Sequence, residues 1–281
     1  MSTDRSGPRP RPTVRHFSAM KERGEPIVAL TAYDVPFARV LDEAGVDLIL
    51  VGDSLGQVVL GYASTLPVTL DEMIHHASAV RRGAPDAFVV LDMPFLTYQV
   101  SREEALLNAG RVLKETGVQA VKLEGGGERL CDTVRHLVEI GIPVMGHLGL
   151  TPQSVHALGG YRVQGREADA AARLREEALA LEEAGAFAVV LELLPTELAG
   201  EVSRSLRIPT IGIGAGPECD GQVLVLYDAL GLNPGFSPRF LKRFAELHQE
   251  AVEGVRRYAR AVREGTYPDA DHSFPGEAPP A

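Results

Sequence analysis

Residues 87–125 read Ala87-Phe-Val-Val-Leu-Asp92-Met-Pro94-Phe-Leu-Thr-Tyr-Gln-Val-Ser101-Arg-Glu-Glu104-Ala-Leu-Leu-Asn-Ala-Gly-Arg-Val-Leu-Lys-Glu-Thr-Gly117-Val-Gln-Ala120-Val-Lys122-Leu-Glu124-Gly125. Two short apolar runs, Ala87–Pro94 and Ala120–Gly125, flank a helical pattern. The runs are continuous rather than alternating, as expected of parallel strands covered on both faces. Ser101 and Glu104 have the spacing of a capping box. Gly117 stands where a helix C-cap belongs. The segment therefore predicts strand, helix, strand.

The same unit extends in both directions. Further apolar runs occur at Pro26–Thr31, Asp47–Asp53, Pro143–Gly149, Phe187–Leu194 and Pro209–Gly214. Thr69 and Glu72 form a second capping box, and Gly83, Gly141 and Gly185 fall at expected helix ends. Glu167–Ala184, rich in Ala, Leu, Arg and Glu, is the strongest helix pattern. Seven strands with intervening helices in 281 residues predict a (β/α)8 TIM barrel of about 250 residues. The expected layout is a basic arm and helix over 1–24, a barrel catalytic domain over 25–265 and an irregular tail over 266–281. Gln222–Tyr227 resembles a strand, but it follows Gly214 too closely for a parallel crossover of about a dozen residues. Asp220–Leu230 is accordingly predicted as a helix capped by Gly231. The eighth strand is placed within Phe236–Phe244, before a C-terminal helix ending near Glu264. The connections Leu55–Val68 and Leu150–Arg166, the latter with Gly159-Gly160, are longer than the fold requires and mark a functional rim.

Composition narrows the function. Apolar residues make up 45% and charged residues 23%, near a globular average. No apolar run approaches the roughly 20 residues of a membrane span. A net charge of −10 argues against nucleic acid as a partner. Cys131 and Cys219 fit no metal or disulfide spacing and suit a reducing compartment. Basic residues dominate the first 23 positions, where Pro8, Pro10 and Pro12 oppose the amphipathic helix of a transit peptide; a frayed arm is expected. Four prolines between Thr266 and Ala281 predict a surface or disordered tail.

Polar residues end the apolar runs: Asp34, Asp53, Ser54, Asp92, Lys122, Glu124, His147 and Glu192. A barrel gathers such ends on its catalytic face. Asp53, Asp92 and Glu124 end three successive strands about 4.8 Å apart, a hard-oxygen set suited to Mg²⁺; a single such Asp reads as a strand-end cap, but three in sequence favour the metal site. Lys122 and Glu124 share a strand face. Lys122 could bind an anionic oxygen, pair with Glu124 or form an imine. Glu192, among apolar neighbours, reads as a general acid or base whose pKa burial raises, or as a carboxylate bonded to backbone. Gly212-Ile-Gly-Ala-Gly216 lacks dinucleotide-fingerprint spacing. His75 and His76 read as helix packing or surface residues, and His147 as a ligand contact or a core histidine.

In order, Thr-Ala-Tyr-Asp34, Val-Gly-Asp53-Ser54-Leu-Gly, Ser64-Thr-Leu-Pro-Val, Leu-Asp92-Met-Pro-Phe, Val-Lys122-Leu-Glu124-Gly-Gly, Gly-His147-Leu-Gly-Leu-Thr-Pro-Gln-Ser and Ile-Gly-Ile-Gly-Ala-Gly216 closely resemble the ketopantoate hydroxymethyltransferase family. The resemblance spans about residues 13–274, ending in a Tyr-Pro…His272-Ser-Phe segment; Gly127, a third glycine after Glu124, departs from the pattern. It implies Asp53, Asp92 and Glu124 as Mg²⁺ ligands, Asp53, Ser54, Asp92 and Lys122 as keto-acid contacts, and Glu192 as proton acceptor. It also implies 5,10-methylenetetrahydrofolate as one-carbon donor, 3-methyl-2-oxobutanoate as acceptor, and a cytoplasmic homo-oligomer, a decamer in this family. Two other expectations stand beside it: a Mg²⁺-dependent 2-oxo-acid lyase or mutase of the phosphoenolpyruvate mutase type, and a catalytically silent metabolite-binding barrel.

Overall fold

Eight strands pair in register and in chain order, and the last pairs back to the first. The computed structural model describes residues 12–276. The strands are β1 Ile27–Thr31, β2 Leu48–Val51, β3 Phe88–Asp92, β4 Ala120–Glu124, β5 Val144–Gly149, β6 Ala188–Glu192, β7 Thr210–Ile213 and β8 Gly221–Leu224. All pairings are parallel and the barrel is closed. The chain divides into two compact units, residues 1–226 and 227–281. The barrel lies in the first. The second contains the amphipathic helix Leu247–Arg263 and a tail with one turn of 3₁₀ helix at Ala270–His272. Among the described residues, no helix is long and apolar enough to cross a membrane.

Most predicted helix signals hold. Thr69 and Glu72 make a reciprocal capping box, and the Ser101 side chain accepts from the Glu104 N–H. Gly117 closes its helix in the left-handed region at φ 71°. Gly83 differs: it is the last helical residue, and Ala84 is the cap. A Cβ at Gly83 would lie 2.6 Å from the Val35 carbonyl oxygen, so the glycine serves close helix packing rather than a left-handed turn.

The eighth strand corrects the sequence reading. It is Gly221–Leu224, inside the stretch predicted as helix, and no strand occupies 236–244. Gly221 and Gln222 pair with Ile211 and Gly212, and residues 221–224 pair with Ile27–Leu30. The rule of a dozen crossover residues presumes a helix on the outside. Here a four-residue strand is only about 13 Å tall at roughly 3.3 Å per residue. The connection of about seven residues can span about 23 Å when extended, enough to return without a helix. A Cβ at Gly221 would stand 2.5 Å from the Ile27 carbonyl oxygen, so this seam requires glycine.

The N-terminal extension forms a helix, Val14–Arg23, that closes the barrel floor. Phe17 packs edge-on against Phe88 with ring centroids 5.0 Å apart, and Phe88 meets Phe187 at 5.7 Å. These rings join Leu48, Val90, Met145 and Ile211 in one core. Lys21 fastens the helix to the barrel, donating to Ser203 O at 2.7 Å and Asp220 Oδ2 at 2.9 Å. An apolar floor leaves the opposite rim as the place where polar strand ends converge.

Candidate active site

Three neighbouring strands bring the acids together. Asp92 and Glu124 are the last residues of β3 and β4, and Asp53 follows β2 by two. All three are buried, and one carboxylate oxygen from each lies within 4.8 Å of the others. The β3–β4 register sets Asp92 opposite Lys122. The ammonium donates to both Asp92 oxygens at 2.6 Å and stands 3.8 Å from Glu124 Oε1. Its main partner is thus Asp92, not the Glu124 considered from sequence.

The electrostatics follow from dry confinement. Burial raises the Asp53 pKa well above the usual carboxylate value, and the charges of Asp92 and Glu124 add to the rise. Burial also raises Asp92, against the opposing pull of Lys122. For Lys122 burial disfavours the charge, but Asp92, Glu124 and Asp53 outweigh it and hold the ammonium protonated above its ordinary range. That protonation opposes imine formation, which needs a neutral amine.

Glu124 is held below the usual value: burial works upward, while His147, Lys122 and the Gln153 N–H outweigh it. Its Oε2 accepts that N–H at 3.0 Å, while Oε1 is buried with no hydrogen-bond partner. Buried negative charge in excess of Lys122, together with an orphaned carboxylate oxygen, calls for a cation. An all-oxygen donor set suits a hard divalent one. The residues present fit such an ion.

Glu192 ends β6 opposite Gly149 of β5. A Cβ at Gly149 would overlap the Glu192 carbonyl oxygen, so glycine is needed for this approach. The Glu192 side chain retains 16% exposure, enough to meet a solute from the rim. His147 lies between the acids, its Nδ1 3.5 Å from Glu124 Oε1 and its Nε2 3.2 Å from Glu192 Oε2. Neither approach has the alignment of a hydrogen bond, so the two buried ring nitrogens are held by these charge contacts alone. Burial and Lys122 lower the imidazole pKa, yet Glu124 and Glu192 prevail and lift it to about 9.

The remaining sequence candidates sort plainly. Ser54 Oγ meets the Tyr33 hydroxyl at 2.9 Å, next to Asp53. Asp34 stays outside the cluster and caps the following helix through Phe37 N at 2.9 Å. His76 contacts the Tyr33 carbonyl through Nδ1 at 2.7 Å, a packing role. A Cβ at Gly216 would crowd Thr196 at 2.5 Å; that glycine serves tight rim packing. Cys131 and Cys219 are free thiols.

One residue escaped the sequence reading. Gln153, buried on the loop after β5, donates Nε2 to Asp53 Oδ2 at 3.0 Å and to Met93 O at 2.9 Å. Its Oε1 accepts from the Tyr98 hydroxyl at 2.7 Å and from Gln99 Nε2 at 3.0 Å. With its own N–H on Glu124, it ties two of the three acids to one loop. Its available signal was membership in the Thr-Pro-Gln-Ser motif; its type, an uncharged amide in a loop, gave none.

The barrel resembles those of the phosphoenolpyruvate mutase/isocitrate lyase superfamily. Phosphonopyruvate hydrolase matches with a TM-score of 0.61 at 13% identity, over 94% of this chain and 92% of that one. 2,3-Dimethylmalate lyase, a superfamily member, matches at 0.58 and 20% identity, over 92% and 91%. Identities this low establish the fold alone. The sequence profile of the ketopantoate hydroxymethyltransferase family matches residues 11–270, and the chain belongs to that family. It is 56% identical over 264 residues to 3-methyl-2-oxobutanoate hydroxymethyltransferase of Syntrophotalea carbinolica, covering 94% of this chain and 98% of the relative. The enzyme of the same name from Moorella thermoacetica is 56% identical over 266 residues, covering 95% and 98%.

Proposed function

We propose that this chain transfers a hydroxymethyl group from 5,10-methylenetetrahydrofolate to 3-methyl-2-oxobutanoate, giving 2-dehydropantoate for pantothenate biosynthesis. The observation that carries the reading is the meeting of Asp53, Asp92, Glu124 and Lys122 in one buried cluster, with Glu192 at its rim, in a chain of this family.

Asp53, Asp92 and Glu124 would hold the divalent cation, Mg²⁺ by its hard-oxygen donors. When bound, such a cation supplies Lewis acidity that polarises a ketone and acidifies the adjacent C–H. Asp53, Ser54, Asp92 and Lys122 receive the keto acid. Lys122, kept charged by its acidic neighbours, offers a fixed cation to the oxygen on which negative charge develops. Glu192 takes the C3 proton as the C–H bond breaks. Water hydrolyses the methylene bridge: both folate C–N bonds break, the two hydrogens of water pass to the folate nitrogens, and its oxygen stays on the carbon as a formaldehyde equivalent. C3 bonds to that carbon, whose oxygen takes up one proton, balancing the one Glu192 removed, and becomes the new hydroxyl. His147 braces Glu192 from the β5 side. We read the protein as a cytoplasmic homo-oligomer, a decamer by resemblance, with sedimentation of the purified protein as the check.

The test is an omission assay with 3-methyl-2-oxobutanoate, methylenetetrahydrofolate and Mg²⁺. Product should form only when all three are present. Consumption of the keto acid without folate would favour a lyase or mutase instead.

A further inference from the structure

The loop 159–167 borders the opening above Glu192. Gln164 N donates to the carbonyl of Leu193 at 2.9 Å, immediately after Glu192. On the other side, Gln57 Nε2 reaches the Tyr161 hydroxyl at 3.4 Å, three residues beyond Ser54. Tyr161 is 53% exposed. Partial burial raises its phenol pKa, the Gln57 hydrogen bond opposes the rise, and the charges of Glu192, Asp53 and Glu124 add to it. Arg162, Arg166 and Glu167 line an adjoining cleft of about 480 Å³. Both arginines are exposed, and among the described residues neither side chain has a hydrogen-bond or ion-pair partner.

This placement is unusual for the chain's charge. The protein carries −10 overall, and its site floor sets four carboxylates against Lys122 and His147. A polyanionic co-substrate would be repelled there. Two unpaired guanidiniums beside one acid form a local exception, and a guanidinium matches a carboxylate in bidentate geometry.

We propose that Tyr161, Arg162 and Arg166 bind the p-aminobenzoyl-glutamate arm of a reduced folate, the ring packing on Tyr161 and the glutamate carboxylates on the arginines. The assignment rests on the folate-dependent reading above and adds the residues that hold the donor's arm outside the chemical centre.

The experiment is calorimetric titration of the Mg²⁺-loaded, full-length protein with tetrahydrofolate and with 6-methyltetrahydropterin, which lacks the arm. The Arg162→Ala/Arg166→Ala variant should bind tetrahydrofolate about two- to thirtyfold more weakly, the range for two exposed ion pairs. The deficit should shrink as salt rises, and the pterin should bind both proteins alike. Arg162→Lys/Arg166→Lys should recover part of the loss. Unchanged tetrahydrofolate affinity in the alanine variant, or equal weakening of both ligands, overturns the assignment. Failure of the wild-type protein to bind tetrahydrofolate or form product overturns instead the functional reading beneath it.

Discussion

Replacing Gln153 by Leu preserves the approximate volume and the backbone N–H that holds Glu124 Oε2, but removes four side-chain hydrogen bonds. Three buried partners lose their contact with it: Asp53 Oδ2, Met93 O and the Tyr98 hydroxyl. At about 1–3 kcal/mol per buried group left unpaired, the expected loss of stability is roughly 3–6 kcal/mol, allowing for relaxation. A second effect concerns the ion. Gln153 is among the groups that draw the Asp53 pKa down against burial and its acidic neighbours. Without it Asp53 is harder to ionise and less well oriented. Loss of an outer partner to a metal ligand typically costs about 10–100-fold in affinity, or roughly 1.4–2.7 kcal/mol. Denaturant unfolding of the metal-free variant measures the first effect, and Mn²⁺ titration followed by electron paramagnetic resonance measures the second. Wild-type Mn²⁺ affinity in a destabilised variant would reduce Gln153 to a structural pin. Wild-type stability would refute the hydrogen-bond reasoning altogether.

Other outcomes follow from the same geometry. Borohydride treatment with keto acid present should leave no substrate-sized adduct on Lys122, because its neighbours keep the amine protonated; mass spectrometry finding that adduct contradicts the assignment. His147 has a folded pKa of about 9 against an ordinary 6.5. Its stabilising contribution is therefore complete below about 6.5 and lost as pH rises through 9. Metal-free His147→Gln should show a flatter stability profile than wild type across that window, measured by denaturant unfolding at fixed salt; parallel profiles would contradict it.

Seven strands were legible because a parallel strand covered on both faces must be apolar throughout. β8 was not, because the deciding quantity was barrel height against loop reach, which local pattern does not contain. Gly221, the residue that permits the seam, looks like any glycine in sequence. The three acids were legible because charge at the end of an apolar run is costly and three in succession need a cause. Asp34 satisfied the same pattern yet caps a helix, since a single strand-end Asp has a local use. Lys122 was placed on the correct face by strand parity, but its preference for Asp92 depended on the β3–β4 register. Gln153 was invisible to a search for charge, although it bonds two of the three acids.

The central claim is that Glu192 removes the C3 proton of the keto acid within this site. The direct measurement is deuterium entry at C3 of 3-methyl-2-oxobutanoate in D₂O, with Mg²⁺ and without folate, read by NMR. Wild-type protein should exchange that position. Glu192→Gln keeps the side chain's size but cannot accept a proton, and should exchange it about 10²–10⁴-fold more slowly, the usual contribution of a positioned base. Keto-acid binding should be nearly intact, because other strands supply its contacts. A Glu192→Gln protein that exchanges C3 as fast as wild type, yet forms no product, would contradict the claim and move the base to another residue.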